Sequence, residues 1–215
     1  MLGLRERKKQ QTRQQIAEAA RRLFAERGFE QVTVAEVARA AEVSQQTVFN
    51  YFPTKEDLVF WRLGAFEEDL LGAIRDREPG RSALAAFEGF LFQQRGLMAS
   101  PEPEAQEMLA ALARTIADSP ALRAREQQIF SGFTDALAAL LAEETGAPEE
   151  DVRPWVAANA IIGIHRAVVA HARRRVVEGA RHPELAAEVR ASAAQAVALV
   201  EGGLSGYAVK QPPSG

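Results

Sequence analysis

The sequence predicts an all-α protein of about nine helices, in which a three-helix N-terminal domain containing a helix-turn-helix precedes a larger helical domain. Apolar residues recur every three or four positions along most of the chain, whereas β-branched residues never alternate with polar ones over the length of a strand. Residues 33–55 also hold two helix-start signals, separated by too few residues for anything but a tight turn.

The first helix is predicted over residues 11–27, because Ile16, Ala20 and Phe24 share one helical face and Gly28 follows as a stop. The second begins at Thr33, which forms a capping box with the residue three positions on, Glu36.

The third helix begins after Ser44, a favourable N-cap, and only residues 41–43 separate it from the second. Two capped helices joined in this way are typical of a helix-turn-helix.

A fourth helix is predicted over residues 54–77, with Thr54 and Asp57 as its cap and the Glu78-Pro79-Gly80 break as its end. The remaining helices are predicted over residues 82–94, 104–117, 119–146, 151–178 and 183–202. Residues 1–9 and 204–215 are expected to be flexible tails.

The charge of the chain is divided unevenly. The net charge is −3, but residues 1–60 hold ten Lys and Arg against eight Asp and Glu, a net of +2. The other 155 residues hold sixteen against twenty-one, a net of −5. The positive charge therefore lies beside the helix-turn-helix, which suits phosphate binding, although a basic arm on its own is usually only a solvated tail.

Several classes of function are disfavoured by the composition. The chain has no cysteine, no apolar run of the ~20 residues that a membrane span needs, and no secretory signal, so we expect a cytoplasmic location. It has three histidines and no motif of phosphate-binding loops, nucleophile elbows or zinc proteases. His165 and His171 lie about 240° apart on a helix and cannot share a metal ion from one face. We expect no enzyme activity, no cofactor and no metal site.

The segment RQQIAEAARRLFAERGFEQVTVAEVARAAEVSQQTVFNYFPTKEDL resembles the N-terminal domain of TetR-family transcriptional regulators. The resemblance implies a DNA-binding domain at residues 10–56 and a ligand-binding and dimerisation domain at residues 57–203. One departure is Glu42, because the family turn usually carries glycine; at positive φ, glutamate costs about 1 kcal/mol.

Polar side chains on the third helix are the candidates for contact with base edges, since the first turn of a recognition helix enters the major groove. The predicted base readers are Gln45, Gln46, Thr47 and Asn50. The resemblance implies that phosphates are bound by Thr33, Ser44, Tyr51 and Lys55. The basic arm, which comprises Arg5, Arg7, Lys8, Lys9 and Arg13, is expected to follow the DNA backbone or to enter an adjacent minor groove. The alternative is that the two glutamines are merely solvent-facing helix residues.

Two copies of the chain are expected to act together, since one recognition helix makes too few contacts for selective binding. We predict that the last two helices form the dimer interface, through apolar stripes at Ile161, Ile164, Val168, Leu185, Val189, Ala193, Ala196 and Val200. The alternative is that both helices bury these faces within one subunit.

A pocket for a hydrophobic small molecule is the last predicted site, because Trp and His lie among apolar helices. Its predicted lining is Phe87, Phe90, Leu91, Met108, Leu112, Phe130, Phe133, Trp155, Ile162 and His165. The alternative is an ordinary core in which His165 is hydrogen-bonded to a neighbour.

These expectations describe a sequence-specific, dimeric repressor that binds double-stranded DNA at a palindromic operator and is released by a small hydrophobic effector. A ligand-responsive activator, or a helical interaction protein that no longer reads DNA, would share the same features.

Overall fold

The computed structural model describes residues 4–93, 100–204 and 209, and in these residues it contains nine α-helices, one 3₁₀ helix and no strand. The all-α prediction is confirmed. The helices are α1 (Leu4–Arg27), α2 (Val34–Ala40), α3 (Gln45–Tyr51), α4 (Leu63–Arg75), α5 (Ala83–Phe92), α6 (Pro103–Asp118), α7 (Pro120–Thr145), α8 (Arg153–Val177) and α9 (Glu184–Leu204). The predicted helix end at Gln94 lies outside the described residues, as do residues 1–3, 205–208 and 210–215 of the two predicted tails.

The described chain forms two compact units. The first comprises residues up to Gly64 together with Arg114–Gln127, and the second comprises Ala65–Ala113 with the residues from Gln128 onward. The first unit therefore includes residues 114–127, which lie outside the DNA-binding domain predicted at residues 10–56.

The N-terminal unit is built on α1, which packs against α2, while α2 packs against α3. Its core contains Ile16, Val37, Val48 and Phe52, each at most 1% exposed. Residues 114–127 are joined to this unit by two polar contacts. The Ser119 hydroxyl donates to Glu30 Oε1 at 2.7 Å, and Arg125 Nε donates to Asp57 Oδ1 at 2.8 Å. The N-terminal unit therefore contains the end of α6 and the start of α7 in addition to α1, α2 and α3.

α1 begins at Leu4 and not near residue 11, so the basic arm is helical. Its first turns contain Arg, Lys, Gln and Glu, which all favour helix, and neither Gly nor Pro after position 3 interrupts them. Thr12 Oγ1 also donates to the Lys8 carbonyl at 3.0 Å. The prediction of a short first helix was wrong because these residues lack an apolar face, while their helix propensity is high.

The helix predicted over residues 54–77 is interrupted. A 3₁₀ helix at Glu56–Leu58 comes first, and α4 starts only at Leu63. Leu58 and Phe60 are 2% and 7% exposed, and side chains two positions apart lie on different sides of an α-helix. Burying both requires the backbone to leave the helical path.

The C-terminal unit has α8 at its centre, packed against α9 and α5, and α5 also packs against α9. Its buried side chains include Phe87, Ile161 and Leu185. Arg77 is buried as well, and its guanidinium donates to Glu144 Oε1 and Oε2 at 3.0 and 2.7 Å. None of the helices in the described part of the chain is long and apolar enough to cross a membrane.

Candidate nucleic-acid interface

The start of α2 is fixed by the predicted capping box. Thr33 Oγ1 accepts from the Glu36 N–H at 3.3 Å, and the Thr33 N–H donates to Glu36 Oε2 at 2.8 Å. Arg27 Nη1 also donates to Glu36 Oε1 at 2.7 Å. The Thr33 backbone N–H, Arg27 and the Thr33 hydroxyl together lower the pKa of Glu36 to about 2. Since the Thr33 hydroxyl also donates to this carboxylate at 2.8 Å, its first role is to begin the helix.

In the turn between α2 and α3, Glu42 has a φ of 53°, which is in the left-handed region. The cost discussed above for glutamate at positive φ therefore applies here. The Val43 N–H donates to the Ala38 carbonyl at 2.9 Å and the Glu42 N–H to the Arg39 carbonyl at 3.1 Å. These two bonds form a Schellman motif. From α1, Gln15 Nε2 donates to the Ala41 carbonyl at 2.9 Å. The angle at which α3 leaves the turn is therefore fixed by backbone bonds.

α3 is capped by Ser44, whose Oγ accepts from the Thr47 N–H at 3.0 Å and lies 2.8 Å from Thr47 Oγ1. Thr47 is half-buried, and its hydroxyl is engaged by the cap. Gln45, Gln46 and Asn50 are exposed. Gln46 Nε2 donates to Asn50 Oδ1 at 3.1 Å, which leaves the Gln46 carbonyl oxygen and one amide hydrogen for a base edge.

Phe49 is a further member of this face that the sequence-based assignment omitted. It is 43% exposed, whereas its neighbour Val48 is 1% exposed. Phe49 lies four positions after Gln45 and three after Gln46, so helical spacing alone puts it on the same face. An apolar residue there is suited to contact with a thymine methyl group.

Aromatic rings hold two cations beside the recognition helix. The Lys55 ammonium lies 4.1 Å above the centre of the Phe29 ring, and the Arg13 guanidinium lies 5.4 Å from the centre of the Phe52 ring. Such cation–π contacts restrict a long side chain without neutralising its charge. Tyr51 is half-buried at the end of α3. Lys55 is thus a pre-oriented positive charge.

The residues of the predicted ligand pocket differ in how deeply they are buried. Phe87, Phe90, Phe130, Phe133, Ile162 and His165 are buried, whereas Leu91, Met108 and Leu112 are half-buried.

Trp155 is 55% exposed, like its neighbours Val152 and Val156 at 68% and 51%. It lies in the first turn of α8, where Pro154 and Ala158 occupy the buried side. Helical spacing placed Trp155 in the pocket, but the structure leaves it outside.

Two family models match the chain. The model described as bacterial regulatory proteins, tetR family, matches residues 16–60, and the MftR C-terminal domain model matches residues 95–178. Arg5, Arg7, Lys8, Lys9 and Arg13 precede the first match, and all five are exposed on α1.

Similar proteins are transcriptional regulators. HTH-type transcriptional regulator TcmR of Streptomyces glaucescens is 31% identical over 155 residues, which cover 71% of this chain and 69% of that protein. The putative mycofactocin biosynthesis transcriptional regulator MftR of Mycobacterium tuberculosis is 26% identical over 172 residues, 77% of this chain and 81% of that protein.

The fold is also found in the fatty acid degradation regulator FadR from Bacillus halodurans. That structure superposes with a TM-score of 0.53 at 23% identity, covering 89% of this chain and 98% of that one. With the helix-turn-helix geometry and the match to TcmR, these findings show that the chain belongs to the TetR family of DNA-binding transcriptional regulators and is not an enzyme.

Proposed function

We propose that this regulator acts in the cytoplasm as a homodimeric repressor, which binds a palindromic operator and is released by a small hydrophobic molecule. The observation that carries the proposal is the outward face of α3, where exposed Gln45, Gln46 and Asn50 surround exposed Phe49. Polar amides can bond to base edges, and the ring can contact thymine methyl groups.

The phosphate contacts are proposed to lie around this face. Ser44 and Thr33 are at helix N-termini, where backbone N–H groups favour anions, and Tyr51 and Lys55 flank the end of α3. The five basic residues in the N-terminal part of α1, from Arg5 to Arg13, extend this positive surface beyond the helix-turn-helix. Since phosphate contacts carry no sequence information, they fix the position in which the α3 face meets the bases.

The proposed dimer interface lies on the last two helices. Of the stripes assigned from the sequence, Ile164 and Ala193 are buried within the single chain, whereas Val189, Ala196 and Val200 are half-buried. Ile161, Val168 and Leu185 are at most 4% exposed within the single chain, so they are core residues. Other faces of both helices remain apolar and exposed. Val156 and Val177 of α8 are 51% and 50% exposed. On α9, Leu199 is 85% exposed among the exposed residues Ala191, Ala194 and Ala198.

Small residues on these exposed faces would let two copies approach closely and form a four-helix interface about a two-fold axis. A dimer of this kind places two recognition helices on half-sites about 34–36 Å apart. A ligand that binds more tightly to a conformation with a different distance between the recognition helices lowers the affinity for the operator. The size of the decrease is set by the difference between the ligand's affinities for the two conformations.

Selection of bound DNA from a random pool tests this function. We expect enrichment of a palindrome whose half-sites are separated by one helical turn or a multiple of it. Enrichment of a single non-repeated site would contradict the dimer, and salt-insensitive recovery without any enriched sequence would contradict DNA reading.

A further inference from the structure

His165, in the middle of α8, carries a buried hydrogen-bonding atom with no partner among the described residues. The side chain is 7% exposed, and Nδ1 makes no hydrogen bond. Buried polar atoms in folded proteins nearly always have a partner, because leaving one unpaired is costly. The sequence-based alternative of a core histidine bonded to a neighbour therefore fails at this atom.

Aromatic rings surround this histidine. The ring centre of Phe66 lies 4.4 Å from that of His165, and the Phe130 ring centre lies 5.5 Å from it. Phe133 is partly stacked on Phe66 at 6.1 Å, and Phe90 meets Phe66 edge-on at 5.4 Å. We call these four phenylalanines and His165 the His165 cage. Apart from the imidazole, it offers only ring faces and edges.

The imidazole is neutral at physiological pH. Burial lowers the pKa of His165 to about 4, and the positive charge of Arg173 acts in the same direction. A neutral imidazole carries its proton on one nitrogen and accepts a hydrogen bond at the other, and we assign the proton of His165 to Nε2. Nδ1 is then an acceptor, so the missing partner is a hydrogen-bond donor.

Phe66 is the least enclosed member of the His165 cage. It is half-buried, whereas the other four members are at most 7% exposed. The buried residues of its helix, α4, are Leu70 and Ile74, and both lie C-terminal to it. Gly64 and Ala65, just before it, are exposed. The Phe66 ring can therefore leave its position at lower cost than the other rings.

We propose that the His165 cage binds an aromatic molecule bearing an O–H or N–H group, such as a phenol, whose ring replaces that of Phe66 and whose donor bonds to His165 Nδ1. This inference rests on the ligand-controlled function proposed above and names the chemical class of its effector. Phe66 was not among the pocket residues assigned from the sequence. An ether of the same ring lacks the donor, and it leaves Nδ1 unpaired when bound.

Isothermal titration calorimetry of the full chain at pH 7.5, with β-naphthol and its methyl ether as probes, tests the proposal. We expect β-naphthol to bind at least tenfold more tightly than the ether, as one buried hydrogen bond implies. In His165→Phe the ratio should fall to about one, with the ether affinity nearly unchanged. In Phe66→Ala both probes should bind more tightly by a similar factor. Trp155→Phe, outside the cage, should behave as the wild type does.

Three results would overturn the inference: no saturable binding of β-naphthol to the wild type, equal binding of naphthol and ether, or a tenfold ratio that persists in His165→Phe. Thermal unfolding of each variant establishes that it is folded. Operator binding is measured separately. Selective binding of the phenol without any binding to DNA would refute the proposed function in operator binding. Binding to DNA without selectivity for the phenol would refute only the proposed chemical class of the effector.

Discussion

Acidification should destabilise this protein through His165 before most carboxylates titrate. The ordinary histidine pKa is 6.5, and the folded environment lowers that of His165 to about 4. As pH falls below 6.5, the unfolded chain therefore binds a proton that the folded chain does not. The stability contributed by neutral His165 is complete above pH 6.5 and is lost progressively as pH falls toward 4.

The size of this loss follows from the two pKa values. A full difference of about 2.5 units corresponds to about 3 kcal/mol at 1.36 kcal/mol per unit. At pH 5, about 1.5 units below the unfolded pKa, the expected loss is about 2 kcal/mol. Urea unfolding followed by far-ultraviolet circular dichroism at pH 7.5 and 5, at one fixed protein concentration, measures it.

His165→Phe keeps an aromatic ring in place and removes the titrating group. We expect this variant to lose about 2 kcal/mol less than the wild type between the two pH values. His171→Gln, which leaves the cage intact, is the matched control and should keep most of the wild-type pH dependence. If His165→Phe and wild type lost the same free energy, His165 would not be buried as a neutral group.

Three further predictions concern the turn, the core and the proposed interface. Glu42→Gly should raise the free energy of unfolding by about 0.5–1 kcal/mol, because φ 53° is unstrained for glycine; a lower thermal midpoint would argue against it. Arg77→Met should destabilise the fold by about 3 kcal/mol in urea titrations, since it leaves Glu144 partly buried and unpaired; a change under about 1 kcal/mol would mean that the pair contributes little. Leu199→Arg should convert the proposed dimer to a monomer in sedimentation velocity with an unchanged far-ultraviolet circular dichroism spectrum, and a persistent dimer would place the interface elsewhere.

The local capping signals in the sequence predicted the starts of α2 and α3, although the starts of α1 and α4 were missed. The capping box at Thr33 and the N-cap at Ser44 depend on residues three positions apart, and both form in the structure. The structure also shows Ser82, the first residue of the predicted fifth helix, as the cap of α5. Capping signals are reliable because each bond joins two residues within one helical turn and does not depend on the packing of distant residues.

Features that depend on distant packing were not predictable in this way. Helical spacing cannot say which of two apolar faces of α8 meets its own chain, so Ile161 and Val168 were assigned to a dimer interface although they are core residues of the single chain. Trp155 was misplaced for the same reason. Phe66 was overlooked because a phenylalanine on an amphipathic helix looks like ordinary core, and only the unpaired Nδ1 of His165 beneath it indicates another role.

The central claim is that the face of α3 reads sequence while the residues around it bind phosphate. Fluorescence anisotropy with the selected operator and a set of single-base variants, at two salt concentrations, tests it directly. Gln46→Ala should lose about 1–3 kcal/mol of discrimination at one base pair of each half-site and keep its preferences elsewhere. Gln127→Ala, an exposed glutamine on α7, is its control.

Lys55→Ala should weaken binding to every sequence alike and flatten the salt slope by about one unit per half-site, whereas the exposed Arg174→Ala on α8 should leave the slope unchanged. Gln46→Ala should therefore change base preference, whereas Lys55→Ala should change only overall affinity and salt dependence. If Gln46→Ala and Lys55→Ala lost affinity by the same factor on every sequence, the assignment of base reading to α3 would be contradicted.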